Sequence, residues 1–175
     1  KEGFAFPQSY LFLVNDTLRN FQCGTSDEIQ RILDVEIYKY SRHSNARKTV
    51  LRIQEEGLSI TGSDHWDSIL EPYQGVAVNC MTTEGLLGMC LFDEQGTGKS
   101  ICAIAAFDLM RLQGVVDTCL LIGPKSLLGN WREEFEKFLP GKYDIVELFG
   151  SREDNYRRIQ KKADAYLLTY ESAIP

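Results

Sequence analysis

The 175 residues carry a net charge of −6 and a pI near 5.0. That balance argues against a protein that coats nucleic acid, although it leaves room for a motor that touches a phosphate backbone at a few points. No apolar run approaches the roughly 18 residues of a membrane span. The start, Lys1-Glu2-Gly3-Phe4-Ala5-Phe6-Pro7, lacks the long apolar segment of a secretory leader. The expectation is an intracellular chain of one domain with an appendage.

Residues 1–62 read as an accessory region of small α+β character. Tyr10-Leu11-Phe12-Leu13-Val14 is strand-like. Ser26-Asp27-Glu28 suits the cap of a short helix running to Leu33. Val35-Glu36-Ile37-Tyr38-Lys39-Tyr40 alternates as a half-exposed strand does, and Thr49-Val50-Leu51-Arg52-Ile53 reads as another. The basic stretch between them, with Arg42, His43, Arg47 and Lys48, is expected to be a solvated loop rather than a nucleic-acid grip. Thr61-Gly62-Ser63-Asp64 marks a boundary.

From residue 63 the texture changes. Pro72 suits the first turn of a helix. Tyr73, Val76, Ala77, Cys80 and Met81 recur at helical spacing, which predicts a core-facing stripe with Gln74 off it. Residues 86–92 form an apolar run that predicts a strand, followed by Asp93-Glu94-Gln95-Gly96-Thr97-Gly98-Lys99-Ser100 and a helix-like run. Strand, Gly-rich turn ending in Lys-Ser, then helix is the layout of a phosphate-binding loop, even though Asp93 stands where the strict pattern wants Gly. Glycines let successive N–H groups face one concavity, and the helix start adds free donors. Lys99 then bridges the outer phosphates, and the Ser100 hydroxyl holds Mg²⁺.

Strand-length runs at 118–122, 143–148 and 165–170 alternate with amphipathic segments. Ile101, Ile104, Ala105, Leu109 and Leu112 predict one apolar stripe, and Leu127, Trp131, Phe135 and Phe138 the next, stopped by Pro140-Gly141. Residues 151–162 predict a charged helix whose Arg157, Arg158, Lys161 and Lys162 are expected to be solvated. Repeated strand–helix units imply an α/β fold with a mostly parallel sheet, its ligand at the carboxyl ends of the strands. Ser126 reads as the N-cap of the helix after the second strand. Two readings of Lys125 are open: a phosphate ligand at that helix start, or a solvated side chain. The five cysteines include no Cys-x-x-Cys pair and are expected to be reduced, mostly buried thiols.

Taken together, Pro72-Tyr73-Gln74, the loop at 93–100, Pro124-Lys125-Ser126-Leu127-Leu128-Gly129-Asn130-Trp131 and Thr169-Tyr170-Glu171 resemble, in order and spacing, four motifs of the first RecA-like lobe of SNF2-type superfamily 2 DNA translocases. The resemblance covers about residues 66–175. It implies a RecA-like P-loop domain at 63–175, truncated before the Walker B motif, and an ATP-dependent motor on double-stranded DNA. It implies that Gln74 reads adenine, that Gln95, Gly96, Thr97, Gly98, Lys99 and Ser100 hold ATP and Mg²⁺, and that Pro124, Lys125, Ser126, Thr169 and Tyr170 contact DNA phosphates. The implied partners are double-stranded DNA, a second RecA-like lobe of the full-length protein, and proteins that dock on residues 1–62. The implied location is the cytoplasm, or the nucleus in a eukaryote. Gln95 and Thr97 depart from the family's usual Met and Leu, and Gly75 from a larger residue, which predicts a loose helix start. The family's Asp-Glu-x-His motif does not occur in the 175 residues. A fragment that binds nucleotide without efficient hydrolysis is therefore expected. The readings outside this family are a P-loop kinase and a non-catalytic nucleotide- or DNA-binding module.

Overall fold

Between Gly24 and Gly57 the sequence contains neither Gly nor Pro, and that stretch folds as one helix, α1 (Asp27–Glu56), in the computed structural model. The structure describes residues 26–86 and 88–173, with residues 16, 17, 20 and 24. The Ser26 side chain caps α1, and Gly57 ends it in the left-handed conformation at φ +62°. The two strands expected at residues 35–40 and 49–53 are thus both wrong. A hairpin needs a turn between its strands, and residues 41–48 offer no Gly or Pro to make one. A capped, breaker-free run instead buries Ala46 and Ile53, seven residues apart on one face. The cap at Ser26 was legible, but its helix does not stop at Leu33. The strand expected at residues 10–14 lies outside the described residues.

Residues 57–60 turn the chain back across α3 (Pro72–Met81), against which α1 also packs. The Asn79 side-chain amide holds the crossing by donating to the carbonyls of Leu58 at 2.7 Å and Ile60 at 3.1 Å. Between them comes α2 (Asp64–Asp67). Asp67 receives the Thr61 N–H and hydroxyl, both at 2.7 Å, and the Gly62 N–H at 3.2 Å. Its slight burial works the other way, but these bonds hold its carboxyl below the usual carboxylate range.

Gly75 explains itself at this crossing. A Cβ there would overlap the Ser59 carbonyl oxygen and lie 2.9 Å from its carbon. The helix start is not loose, as its missing side chain suggested; it is tight, and glycine is what lets residues 57–60 pass. Gly75→Ala is expected to destabilise the fold by about 1–3 kcal/mol, because backbone must move to accommodate it. Gly129→Ala, in a helix with open space around that position, is expected to stabilise by about 0.5–1 kcal/mol. Denaturant midpoints of the two variants check the contrast, and equal midpoints would overturn it.

The core is organised on α4 (Lys99–Leu112), whose residues from Ile101 to Leu109 are nearly all buried. Leu112, expected on its stripe, is exposed. Three parallel strands follow, β1 (Cys119–Gly123), β2 (Ile145–Leu148) and β3 (Ala165–Thr169), in the order β1-β3-β2. The helices α5 (Lys125–Phe138) and α6 (Arg152–Ile159) link them, and α7 (Tyr170–Ala173) follows β3. The α/β reading with a parallel sheet is correct. Residues 86–92, however, form no strand among the described residues, and Phe92 is 92% exposed. An apolar run becomes a strand only when another backbone pairs with it, and none does so among the described residues.

Expected stripes are also rotated in places. On α3 the buried residues are Gln74, Gly75, Val78 and Cys80, while Tyr73 is exposed. On α5 Leu128 replaces Leu127 in the core. Helix α5 starts at Lys125 with Pro124 as its N-cap, so Ser126 is not the cap. Proline's fixed φ already suits the entry, and it leaves Ser126 inside the first turn. Cys80, Cys90, Cys102 and Cys119 are free thiols, Cys90 exposed; Cys23 lies outside the described residues. Burial pushes the Cys102 and Cys119 thiols up to about 11, with the Asp93 charge adding to Cys102, so both stay protonated near neutrality. No helix among the described residues is long and apolar enough to cross a membrane.

Candidate nucleotide and nucleic-acid site

The loop at 93–100 is shaped by two left-handed glycines, Gly96 at φ +83° and Gly98 at +81°. Gly98 is also the N-cap of α4, so the loop runs straight into the positive end of that helix. The N–H groups of Gly96, Thr97, Gly98, Lys99 and Ser100 find no acceptor among the described residues. Lys99 folds back over the loop, its Nζ donating to the carbonyls of Asp93 at 2.8 Å and Glu94 at 2.6 Å. The Ser100 hydroxyl makes no hydrogen bond among the described residues. A row of open donors, a cation at the loop's mouth and a free hydroxyl beside it fit a nucleotide's phosphates with their divalent cation.

Gln74 reaches this loop from α3. It is only 8% exposed and its amide is fully used. Its Oε1 accepts from the Glu71 N–H at 3.0 Å, and its Nε2 donates to the Thr97 carbonyl at 3.0 Å and the Tyr73 hydroxyl at 3.3 Å. A Cβ on Gly98 would overlap Gln74 Nε2. Gln74 and the loop are therefore one packed unit, which its expected place off the core stripe concealed. Helical spacing places Tyr73 on the core stripe; its hydroxyl instead donates to Thr97 O at 3.1 Å.

The first three turns of α5 face the same loop. Leu127, Asn130, Trp131 and Glu134, spaced i, i+3, i+4 and i+7, line a cavity of about 390 Å³ opposite Leu91, Lys99 and Ser100. Asn130 and Glu134 were not among the expected site residues, although that spacing signals a shared face. The C-terminal ends of β1 and β3 are paired through Gly123 and Thr169, so the segments they lead into, at Lys125 and Tyr170, leave the sheet on one edge from adjacent strands. Lys125, Ser126 and Tyr170 are exposed there. Thr169 is not: its hydroxyl donates to the Ser172 hydroxyl at 3.1 Å and accepts the Ser172 N–H at 3.2 Å, closing the first turn of α7. Arg158 donates to the Glu147 carbonyl at 2.9 Å, which ties α6 to β2.

A family model described as SNF2-related domain matches residues 73–174, which is more than half of the chain. The chain belongs to the SNF2-related domain family. Its relatives include the ATP-dependent helicase fft3 of Schizosaccharomyces pombe, 36% identical over 115 residues that make up 61% of this chain and 12% of the relative. A putative ATP-dependent helicase/translocase, YwqA of Bacillus subtilis, is 33% identical over 62% of this chain and 12% of its own length. Among solved structures, the Sulfolobus solfataricus SWI2/SNF2 ATPase core in complex with dsDNA superposes with a TM-score of 0.50 at 32% identity, over 58% of this chain and 21% of that one. The SNF2-related chain thus spans about an eighth of the length of the two curated relatives, and its α/β architecture with a parallel sheet matches that ATPase core.

Proposed function

We propose that this chain carries the nucleotide-binding and part of the DNA-contacting surface of an SNF2-type, ATP-dependent translocase on double-stranded DNA. The observation that carries the reading is the open row of N–H donors at residues 96–100, with the Lys99 ammonium held at its mouth by two main-chain carbonyls. Those carbonyls are neutral partners. A β,γ-phosphate offers the Lys99 ammonium an anionic partner in place of these neutral ones, so the exchange is favourable and needs only a swing of the side chain. The Ser100 hydroxyl would hold the Mg²⁺ of bound ATP, which would supply charge neutralisation at the γ-phosphoryl group. Gln95 and Thr97 complete the loop, and Gln74 beside it reads adenine by exchanging bonds that its amide makes to the protein for bonds to the base. Pro124, Lys125, Ser126 and the Thr169-Tyr170 segment form the DNA-facing edge; there Lys125 gives charge and Tyr170 an exposed ring.

Residues 1–62 act as an accessory region, of which α1 packs against the Gln74 helix, and residues 63–175 as the motor part. With no Asp-Glu-x-His in the sequence, the 175 residues alone bind Mg-ATP weakly and do not turn it over efficiently; rapid turnover by them alone would refute this. The deciding experiment is ATP hydrolysis by the full-length protein with and without double-stranded DNA, wild type against Lys99→Ala. Strong DNA stimulation abolished by Lys99→Ala is the expected result. Turnover indifferent to DNA would point to a kinase-like P-loop enzyme, and none at all to a non-catalytic module.

A further inference from the structure

Tyr73 is 54% exposed, yet its hydroxyl is not left to solvent. It donates to the Thr97 carbonyl at 3.1 Å, while Gln74 Nε2 donates to the same oxygen at 3.0 Å and to the Tyr73 hydroxyl at 3.3 Å. Two neighbouring side chains of α3 thus clamp one main-chain oxygen. That oxygen belongs to the peptide between Thr97 and Gly98, flanked by Gly96 and Gly98, both at positive φ. Glycines on either side are the residues least able to hold a peptide plane by themselves. The peptide is trans, so its C=O and N–H point in opposite directions. With the carbonyl held towards α3, the Gly98 N–H must face away from α3, to the loop's open side. The Thr97 side chain is pinned independently, its hydroxyl donating to the Glu94 carbonyl at 2.9 Å.

We infer that Tyr73 is a positioning residue for the phosphate loop: its hydroxyl fixes the Thr97–Gly98 peptide so that the Gly98 N–H is aimed at the nucleotide's phosphates. The inference rests on the nucleotide-site reading above and adds to it a residue that acts without touching the base. Tyr73→Phe keeps the ring and removes two neutral hydrogen bonds, the one to the Thr97 carbonyl and the one from Gln74 Nε2, while the direct Gln74–Thr97 bond remains. In the full-length protein this variant is expected to raise KM for ATP about 2- to 10-fold. The DNA-stimulated kcat should stay within about twofold of wild type and the preference for ATP over GTP should not change, because Gln74 remains.

A second readout does not need ATP. The Cys102 N–H donates to the Gly98 carbonyl at 3.2 Å, so its hydrogen exchange reports whether the loop's end is held. Exchange at this amide is expected to be faster in Tyr73→Phe than in wild type. Unchanged exchange overturns the inference, and so does a change in ATP-over-GTP preference, since the hydroxyl would then be acting on the base. If wild-type protein binds no ATP, the nucleotide reading fails, and the exchange comparison still decides whether Tyr73 holds the loop.

Discussion

Asp108→Ala is expected to destabilise the fold by about 3–5 kcal/mol, the loss typical of removing one partner from a buried ionic cluster. Asp108 sits in the middle of α4, is 1% exposed, and is the one charged side chain among that helix's buried residues. Three donors from two separate parts of the chain converge on it: Trp66 Nε1 at 2.8 Å, Lys142 Nζ at 2.5 Å and the Tyr143 hydroxyl at 2.5 Å. It therefore pins α2 and the segment after α5 onto the central helix. Asp108→Asn keeps an acceptor but loses the charge that Lys142 answers, and should cost less than the alanine. Urea unfolding of the three proteins near neutral pH measures this, and an alanine variant within 1 kcal/mol of wild type would contradict it. The pH dependence has a definite sign. Burial alone would raise the Asp108 carboxyl, but the bonds from Lys142, Tyr143 and Trp66 hold it below its ordinary range. A depressed folded-state value means the cluster's contribution is present above the unfolded carboxyl's pKa of about 3.9 and is lost as pH falls through the folded value. Tyr143 works from the other side. Burial and the Asp108 carboxylate push its hydroxyl well above the usual tyrosine value. Its contribution is present below about pH 10 and is lost as pH rises beyond it. Tyr143→Phe should remove the alkaline loss and leave the acid one.

None of that cluster is visible as a pattern, since Trp66, Asp108 and Lys142 are far apart in the chain and nothing local ties them. What sequence does show is whatever local chemistry decides. The Gly96-Thr97-Gly98-Lys99-Ser100 turn, the helix after it and the apolar runs that became β1, β2 and β3 are all determined within a few residues. The errors fall where a second element decides. Alternation at residues 35–40 looked like a strand, but a strand requires a partner, and a capped run without breakers is satisfied as a helix by its own backbone. Residues 86–92 failed in the same way. Tyr73 and Gln74 traded places because helical spacing predicts one apolar face, whereas the face of α3 that matters here meets the polar backbone of the phosphate loop. Gly75 could only be understood once Ser59 was found lying across it.

Gly98→Ala is expected to impair the phosphate loop more than any other single methyl added to it, and Gly96→Ala shows why. Both glycines lie at positive φ, +83° and +81°, so each alanine suffers backbone strain of about 1–2 kcal/mol. At Gly96 a methyl meets nothing within 4 Å. At Gly98 it would overlap Gln74 Nε2 and lie 3.1 Å from Ile101 Cγ2. The end of a glutamine is normally free to step aside, but this one holds the Thr97 carbonyl, the Tyr73 hydroxyl and the Glu71 N–H, and all three bonds are at risk if it moves. The extra cost is about 1–3 kcal/mol of overpacking. Nucleotide affinity should accordingly fall by at least tenfold more in Gly98→Ala than in Gly96→Ala. If collision with Gln74 is the cause, the two sites must be coupled. Gln74→Ala removes the obstructing amide, so it should cost clearly less in a Gly98→Ala background than in wild type. Strictly additive effects in that double-mutant cycle would mean that strain alone sets the price of Gly98, and that the close fit between Gln74 and the loop has no energetic consequence.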